Sequence, residues 1–239
     1  TYILYFILTF YFFFNIYQLN FSHWSSMMDH DFYILYNSLL ISSGLEQEGR
    51  DHPAFTTFLL HGYTYKILNI FQNSFSTNID EILNSNKINE TFEFYFKVSR
   101  IVNFFINFFL FLSFLKLVKL LKIKENIIFL VCLIFLISNW FSLSFFSLRS
   151  ENLSLLFILL SMIFIIKNEE IELKNYFFSG IFLLLSMFTK IQVIYFITFL
   201  IFFIGNSINS EKRIKNQFLF SKININYLIY LFIFIFFFT

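Results

Sequence analysis

Long apolar runs separated by short polar clusters recur along this chain and limit what it can fold into. Runs of about 15 to 20 residues match the helix length that crosses the roughly 30 Å hydrocarbon core of a bilayer. Only 13% of the residues are charged and the mean hydropathy is +0.70, whereas a soluble domain carries about 25% charged residues. The pattern predicts an all-α, polytopic membrane protein, with spans at residues 2–19, 95–115, 127–146, 153–166, 176–188, 193–204 and 225–238.

Residues 21–94 are the polar exception, between the first and second spans. They carry nine acidic residues against three basic ones. Apolar residues at helical spacing predict an amphipathic helix over residues 31–43, stopped by Gly44. Pro53 suits the first turn of a second helix, over residues 53–71. Both helices are predicted to lie along the membrane surface, a true span being the alternative for the second. The Asn/Ser-rich residues 72–91 are predicted to be loop.

The distribution of lysine and arginine orients these helices. If residues 53–71 lie on the surface, the basic loops at residues 116–124 and 212–222 both fall inside, as the positive-inside rule requires. If that helix crosses, both loops land outside. We therefore predict about seven spans in a single module with its N-terminus inside: residues 1–20 the first span, 21–94 an outer loop, and 95–239 the further spans. The chain starts without Met and ends inside an apolar run, so we expect it to be a fragment that lacks a C-terminal part.

Composition and motifs give no indication of several other kinds of function. The net charge of +2 does not suggest nucleic-acid binding, and the one cysteine, Cys132, permits no disulfide framework. The five glycines form no phosphate-binding loop. The 42 phenylalanines are interpreted as lipid-facing or core surface, reflecting codon bias rather than function.

Charged and polar residues gather in the segments that this orientation places outside. Charges at the edge of a membrane are costly and are usually paired or functional. A carboxylate there can deprotonate an acceptor while cations hold a phosphate leaving group. The candidates are Asp29, Asp31, Asp51 and His52 in the outer loop, Arg100 (with Lys97) at the start of the second span, and Arg149, Glu151, Lys190 and Gln192 at the ends of later spans.

Ordinary structural explanations exist for most of these residues. Arg149 and Glu151 can pair at a helix end, and Asp29 can cap the surface helix. Lys190 and Arg100 can extend their charged groups to the interface without any further role. Asp29, Asp31 and Asp51 could also hold a divalent metal ion, although carboxylates alone do not specify one.

Five segments, taken in order, resemble the GT-C superfamily of polyprenyl-phosphate-sugar glycosyltransferases, which includes protein O-mannosyltransferases and lipid A aminoarabinose transferases. Residues 29–33 (Asp-His-Asp-Phe-Tyr) and 36–44 resemble the family's acidic motif and the helix after it. Residues 51–61 resemble the opening of its second juxtamembrane helix. Residues 149–153 and 188–192 resemble its Arg-Pro-Glu-x-Leu and Leu-Thr-Lys-x-Gln segments, with serine in place of the proline.

The resemblance implies roles for individual residues. The family's catalytic base falls on Asp29, with Asp31 as a second acid that supports the base or binds a metal. Asp51 and His52 match positions that line the site and contact metal or lipid phosphate. The expected partners are a polyprenyl-phosphate sugar donor, a lipid, glycan or protein acceptor, and the bilayer. The expected location is an integral membrane position with the active face outward, in a bacterial inner or plasma membrane rather than the endoplasmic reticulum.

Two functions without chemistry are the alternatives. A transporter or flippase of a lipid-linked or small substrate would place ionisable residues in the middle of its spans. A non-catalytic scaffold would not need charged residues collected at one face. The acids and cations of this chain gather at one predicted face, which favours the transferase.

Overall fold

A computed structural model describes residues 11, 29–48, 54–71, 75–138, 141, 147–166 and 173–193. Every regular element of more than one residue in these segments is an α-helix, and none of the described residues forms a strand. The helices are α1 (Asp29–Ser42), α2 (Phe55–Phe71), α3 (Ile79–Leu83), α4 (Ile88–Leu120), α5 (Glu125–Ile137), α6 (Ser150–Ile166) and α7 (Leu173–Thr189). The all-helical prediction is therefore confirmed for the described part of the chain.

The helices predicted at residues 31–43 and 53–71 are present as α1 and α2, within two residues of their predicted ends. Gly44, at φ +78°, follows α1 in the left-handed conformation that glycine adopts readily. The predicted spans at residues 2–19 and 225–238 lie outside the described residues apart from Tyr11, which is helical, and so does the span at 193–204 apart from Val193.

The prediction of loop over residues 72–91 is wrong in two places. Helix α3 occupies Ile79–Leu83, where the Asn78 side chain accepts the Asp80 N–H and two acidic residues fill the first turn. Such caps and charges stabilise a helix N-terminus even where the composition suggests a loop. Helix α4 then begins at Ile88, seven residues before the predicted start of the second span at residue 95.

Helix α4 is the one helix among the described residues that is both long enough and apolar enough to cross a membrane. Its 33 residues extend about 50 Å at 1.5 Å per residue, well beyond a hydrocarbon core of about 30 Å. The polar first turns therefore lie before the apolar part. Helices α5 and α6 are apolar but shorter, with 13 and 17 residues. Cys132 is buried in α5.

Helices α1 and α2 pack side by side in the same direction. The rings of Tyr33 and Phe58 are 5.8 Å apart, and one turn further along both helices Gly62 lies against Ser38. A Cβ atom added at Gly62 would lie 2.7 Å from the Ser38 carbonyl oxygen and 3.2 Å from Cγ2 of Ile41. The absence of a side chain at Gly62 therefore sets the spacing of this helix pair.

Replacing Gly62 by alanine is expected to destabilise the protein by about 1–3 kcal/mol, because the new methyl group meets backbone that cannot yield. Gly180→Ala is the matched control, since Gly180 is also inside a helix but a Cβ there meets nothing within 4 Å. The control is expected to gain up to about 1 kcal/mol from helix propensity. Thermal unfolding of the detergent-solubilised chain measures both, and equal midpoints for the two variants would contradict the close approach at Gly62.

Helices α6 and α7 form an antiparallel pair joined by buried serines. The hydroxyls of Ser154 and Ser186 are 2.8 Å apart, and those of Ser161 and Ser179, two turns further along, are 2.7 Å apart. The register that joins these pairs also brings the start of α6 to the end of α7. A core of α4, α5 and α6 side chains, including Phe111, lies beside this pair.

Candidate functional site

Most of the candidate residues that the structure describes lie where α1, α2 and α6 begin and α7 ends, and Asp31 makes a long-range contact there. Its Oδ1 accepts a hydrogen bond of 2.6 Å from the backbone N–H of Leu148, a residue 117 positions along the chain. Asp31 is only 3% exposed. Leu148 also packs in a small apolar cluster with Ile34 and Phe58, which ties the first turn of α1 to the segment before α6.

The segment of residues 147–149 is held from a second side by α4. The side-chain amide of Asn103 donates a hydrogen bond of 2.9 Å to the Ser147 carbonyl oxygen. The guanidinium of Arg149 in turn donates from Nε to Ser147 Oγ over 3.2 Å. Arg149 itself is partly exposed at the start of α6. The predicted acid Asp31 thus binds the backbone at Leu148, one residue before the predicted cation Arg149.

Arg100 is buried rather than extended toward water. It is 4% exposed, and its guanidinium carbon lies 3.9 Å from the centre of the Phe96 ring, a cation–π arrangement. Asp31 and Glu93 are the acidic groups that interact with it electrostatically. The alternative in which Arg100 extends freely to the interface is therefore wrong. Lys97, by contrast, is at the surface, where it pairs with Glu93 over 3.1 Å.

The end of α7 brings a second cation to this face. Lys190 forms an ion pair with Glu151 of α6, with side-chain exposures of 19% and 17%. One residue earlier, Thr189 shares a hydrogen bond of 2.6 Å with Thr56 in the first turn of α2. The start of α2, which follows the Asp51–His52 segment in sequence, therefore lies beside the Lys190 pair. Burial of this degree strengthens an ion pair relative to one in water.

Other predicted site residues are not brought into contact with these groups or cannot be placed. Gln192 lies in the turn after α7 with its side chain exposed, and no contact in the described part of the chain joins it to Lys190. Asp51 and His52 lie outside the described residues. Asp29 is the first residue of α1, two positions before Asp31, and its side chain also lies outside the described set.

The metal prediction is neither supported nor contradicted. Within residues 29–48, 54–71, 75–138, 147–166 and 173–193, no group of three His, Cys, Asp or Glu side chains could hold a metal ion. Two of the three predicted ligands, the Asp29 side chain and Asp51, fall outside these residues. A metal held by Asp29, Asp31 and Asp51 therefore stays a prediction.

His61 is excluded as a further phosphate-binding cation. It is buried within α2, with its ring centre 6.4 Å from that of Tyr65. Burial lowers the pKa of His61 to about 4, because the charged imidazolium loses its hydration. The side chain is therefore neutral near pH 7.

Sequence reasoning missed Asn103, Ser147 and the pair formed by Thr56 and Thr189. Asn103 carried a usable signal, because it is a polar residue inside an apolar span and stands three positions after Arg100, on the same helix face. The serine and the threonines carried none, since such hydroxyls occur throughout the chain. Only the packing of α2 against α7 gives the threonines their role.

No protein-family model, curated protein or solved structure matches the chain. The resemblance to the GT-C superfamily therefore stays a prediction based on the motif segments. The geometry of the site has to be interpreted from this chain's own residues.

Proposed function

We propose that this protein is an integral membrane glycosyltransferase of the GT-C type that transfers a sugar from a polyprenyl-phosphate donor to an acceptor at the outer face. The observation that carries the proposal is the meeting of one acidic and two cationic segments at one end of the helices. The first turn of α1 contacts residue 148, and the end of α7 contacts both α2 and the first turn of α6. Such a juxtaposition suits a reaction that removes a proton and releases a phosphate.

In the proposed reaction Asp29 removes the proton from an acceptor hydroxyl or amine. The acceptor atom then attacks the anomeric carbon of the sugar and forms the new glycosidic bond. The bond between that carbon and the phosphate oxygen breaks, and its electron pair leaves with the polyprenyl phosphate. Arg149 and Lys190 balance the charge of the departing phosphate. A single displacement of this kind inverts the anomeric configuration.

The membrane architecture is part of the proposal. Exposed apolar side chains form one stripe on α4 (Ile101, Phe105 and Phe109) and another on α5 (Ile127, Leu130, Ile134 and Ile137). Rows of exposed apolar side chains of this kind are typical of a surface that meets lipid or a partner. We propose that both helices are spans in a seven-span bundle, with the N-terminus inside and the polyprenyl tail of the donor between the helices.

A donor labelled in both its sugar and its lipid tests this function. Full-length protein is reconstituted in liposomes with a panel of farnesyl-phosphate sugars, and the fate of the two labels is followed. Transfer separates the labels, because the sugar leaves with the acceptor or with water and farnesyl phosphate remains. Movement of intact donor across the bilayer, with the labels together, would instead favour the transporter alternative.

A further inference from the structure

We infer that Asp31 and Asn103 are positioning residues, which together hold residues 147–149 so that Arg149 faces the phosphate of the donor. The inference rests on the proposed function for the role of Arg149. It differs from the sequence-based expectation for Asp31, which was a second catalytic acid or a metal ligand. It also assigns a role to Asn103, which no motif pointed to.

Hydrogen bonds from two helices, α1 and α4, hold the short segment of residues 147–149. Three consecutive residues are involved: the N–H of Leu148 is bound by Asp31 of α1 at 2.6 Å, and the carbonyl of Ser147 by Asn103 of α4 at 2.9 Å. The same Ser147 accepts from Arg149 through its hydroxyl at 3.2 Å. Bonds from two different helices fix both the position of the segment and the direction in which Arg149 leaves it.

The surroundings of Asp31 also favour a positioning role over a reacting one. A general base must reach the proton that it removes, whereas Asp31 is almost fully buried and already accepts a backbone N–H. The neighbouring positive group is the buried guanidinium of Arg100. A charge-assisted hydrogen bond from a backbone N–H to a carboxylate is stronger than a neutral one. Asp31 is therefore suited to fix the chain at Leu148.

Two pairs of variants test whether Asp31 and Asn103 hold residues 147–149 in place or instead contact a substrate or metal. Asp31→Asn keeps an oxygen that can accept the Leu148 N–H but removes the charge, whereas Asp31→Ala removes both. Asn103→Leu removes the bond to Ser147 without changing any charge. Asn89→Leu makes the same substitution at an exposed position in the first turn of α4 and serves as the control. Arg149→Gln gives the result expected when the cation itself is lost.

Two measurements are made on the full chain in detergent. Hydrogen–deuterium exchange over residues 147–149 reports whether the segment is held, and a titration with farnesyl phosphate reports anion binding. Asp31→Ala and Asn103→Leu are expected to speed exchange at Leu148 about tenfold or more and to weaken farnesyl phosphate binding about tenfold, which corresponds to one lost hydrogen bond of about 1.4 kcal/mol. Asp31→Asn, which keeps the acceptor but loses the charge, is expected to fall between wild type and Asp31→Ala in both. Asn89→Leu is expected to stay within about threefold of wild type in both.

Either of two results would overturn the inference. One is unchanged exchange at Leu148 in Asn103→Leu; this variant also decides the question if Asp31→Ala does not fold. The other is an equal loss of binding in Asp31→Asn and Asp31→Ala with normal exchange, which would assign Asp31 to a ligand or metal. A wild type that binds farnesyl phosphate but transfers no sugar would overturn the proposed function and leave the positioning roles standing. If wild type does not bind farnesyl phosphate, exchange at Leu148 alone decides whether the segment is held.

Discussion

Asp29→Asn is expected to lower the rate of sugar transfer by about 10²–10⁴-fold, the contribution typical of a positioned general base. Asparagine has nearly the same shape as aspartate but cannot accept the acceptor's proton. Farnesyl phosphate binding is expected to stay within about threefold of wild type, because the phosphate is held by Arg149 and Lys190 in the proposed site. The rate of farnesyl phosphate release from the labelled donor measures the effect, and a separate titration measures binding.

Asp80→Asn is the matched control for this substitution. Asp80, like Asp29, lies in the first turn of a helix, but it is on α3 and is exposed. Both variants change the same charge at a helix N-terminus by the same amount, so a general effect on helix stability would appear in both. Transfer by Asp29→Asn at the level of Asp80→Asn would remove Asp29 as the base.

Lys190→Met is expected to weaken farnesyl phosphate binding by about 10–100-fold, because a hydrogen bond to a charged group contributes about 1.5–3 kcal/mol. It is also expected to lower stability by about 3 kcal/mol, since the Glu151 carboxylate loses its ion-pair partner at a site where both side chains are less than one-fifth exposed. A titration and a thermal unfolding curve on the same sample give the two quantities.

The double variant Lys190→Met with Glu151→Leu separates these two effects. Removing both charges leaves no unpaired carboxylate, so the stability is expected to recover while the loss of farnesyl phosphate binding persists. Recovery of binding as well would show that Lys190 acts only through the ion pair. Lys97→Met serves as the control, because the pair that Lys97 forms with Glu93 is half-exposed on the lysine side and contributes little.

The helices nearest the site were predictable where local signals agreed. Apolar residues at helical spacing predicted α1, and Gly44 follows its end as expected. The second helix was predicted from Pro53, and α2 begins two residues after it. Helix α3 and the first turns of α4 were not predictable in the same way. Their Asn-rich and Ser-rich composition is typical of loop, and they are stabilised by the Asn78 cap and by burial of Ile79 and Ile82 against neighbouring helices.

The candidate site was predictable as a set of residues but not as a set of contacts. The predicted topology places Arg149, Glu151 and Lys190 at one face, because alternate loops of a helical bundle lie on the same side. The topology does not predict that Lys190 pairs with Glu151, because this pair depends on the register set by the serines of α6 and α7. Nor does any local pattern join Asp31 to Leu148, since that bond depends on how α1 packs against the rest of the bundle.

The burial of Arg100 shows the same limit. The sequence places Arg100 near the end of an apolar run. Such a position is compatible with a side chain at the membrane interface and with a buried one. The deciding facts are the extension of α4 back to Ile88 and the presence of Asp31 and Glu93 nearby, which make burial of the guanidinium possible.

The proposed site breaks the bond between the sugar and the lipid phosphate, and the release of farnesyl phosphate from a doubly labelled donor tests this reaction most directly. Wild-type protein in liposomes is predicted to separate the two labels for at least one sugar of the panel, and Asp29→Asn is predicted to leave them together. Donor that is bound or carried across the bilayer with both labels still joined, for every sugar of the panel, would contradict it.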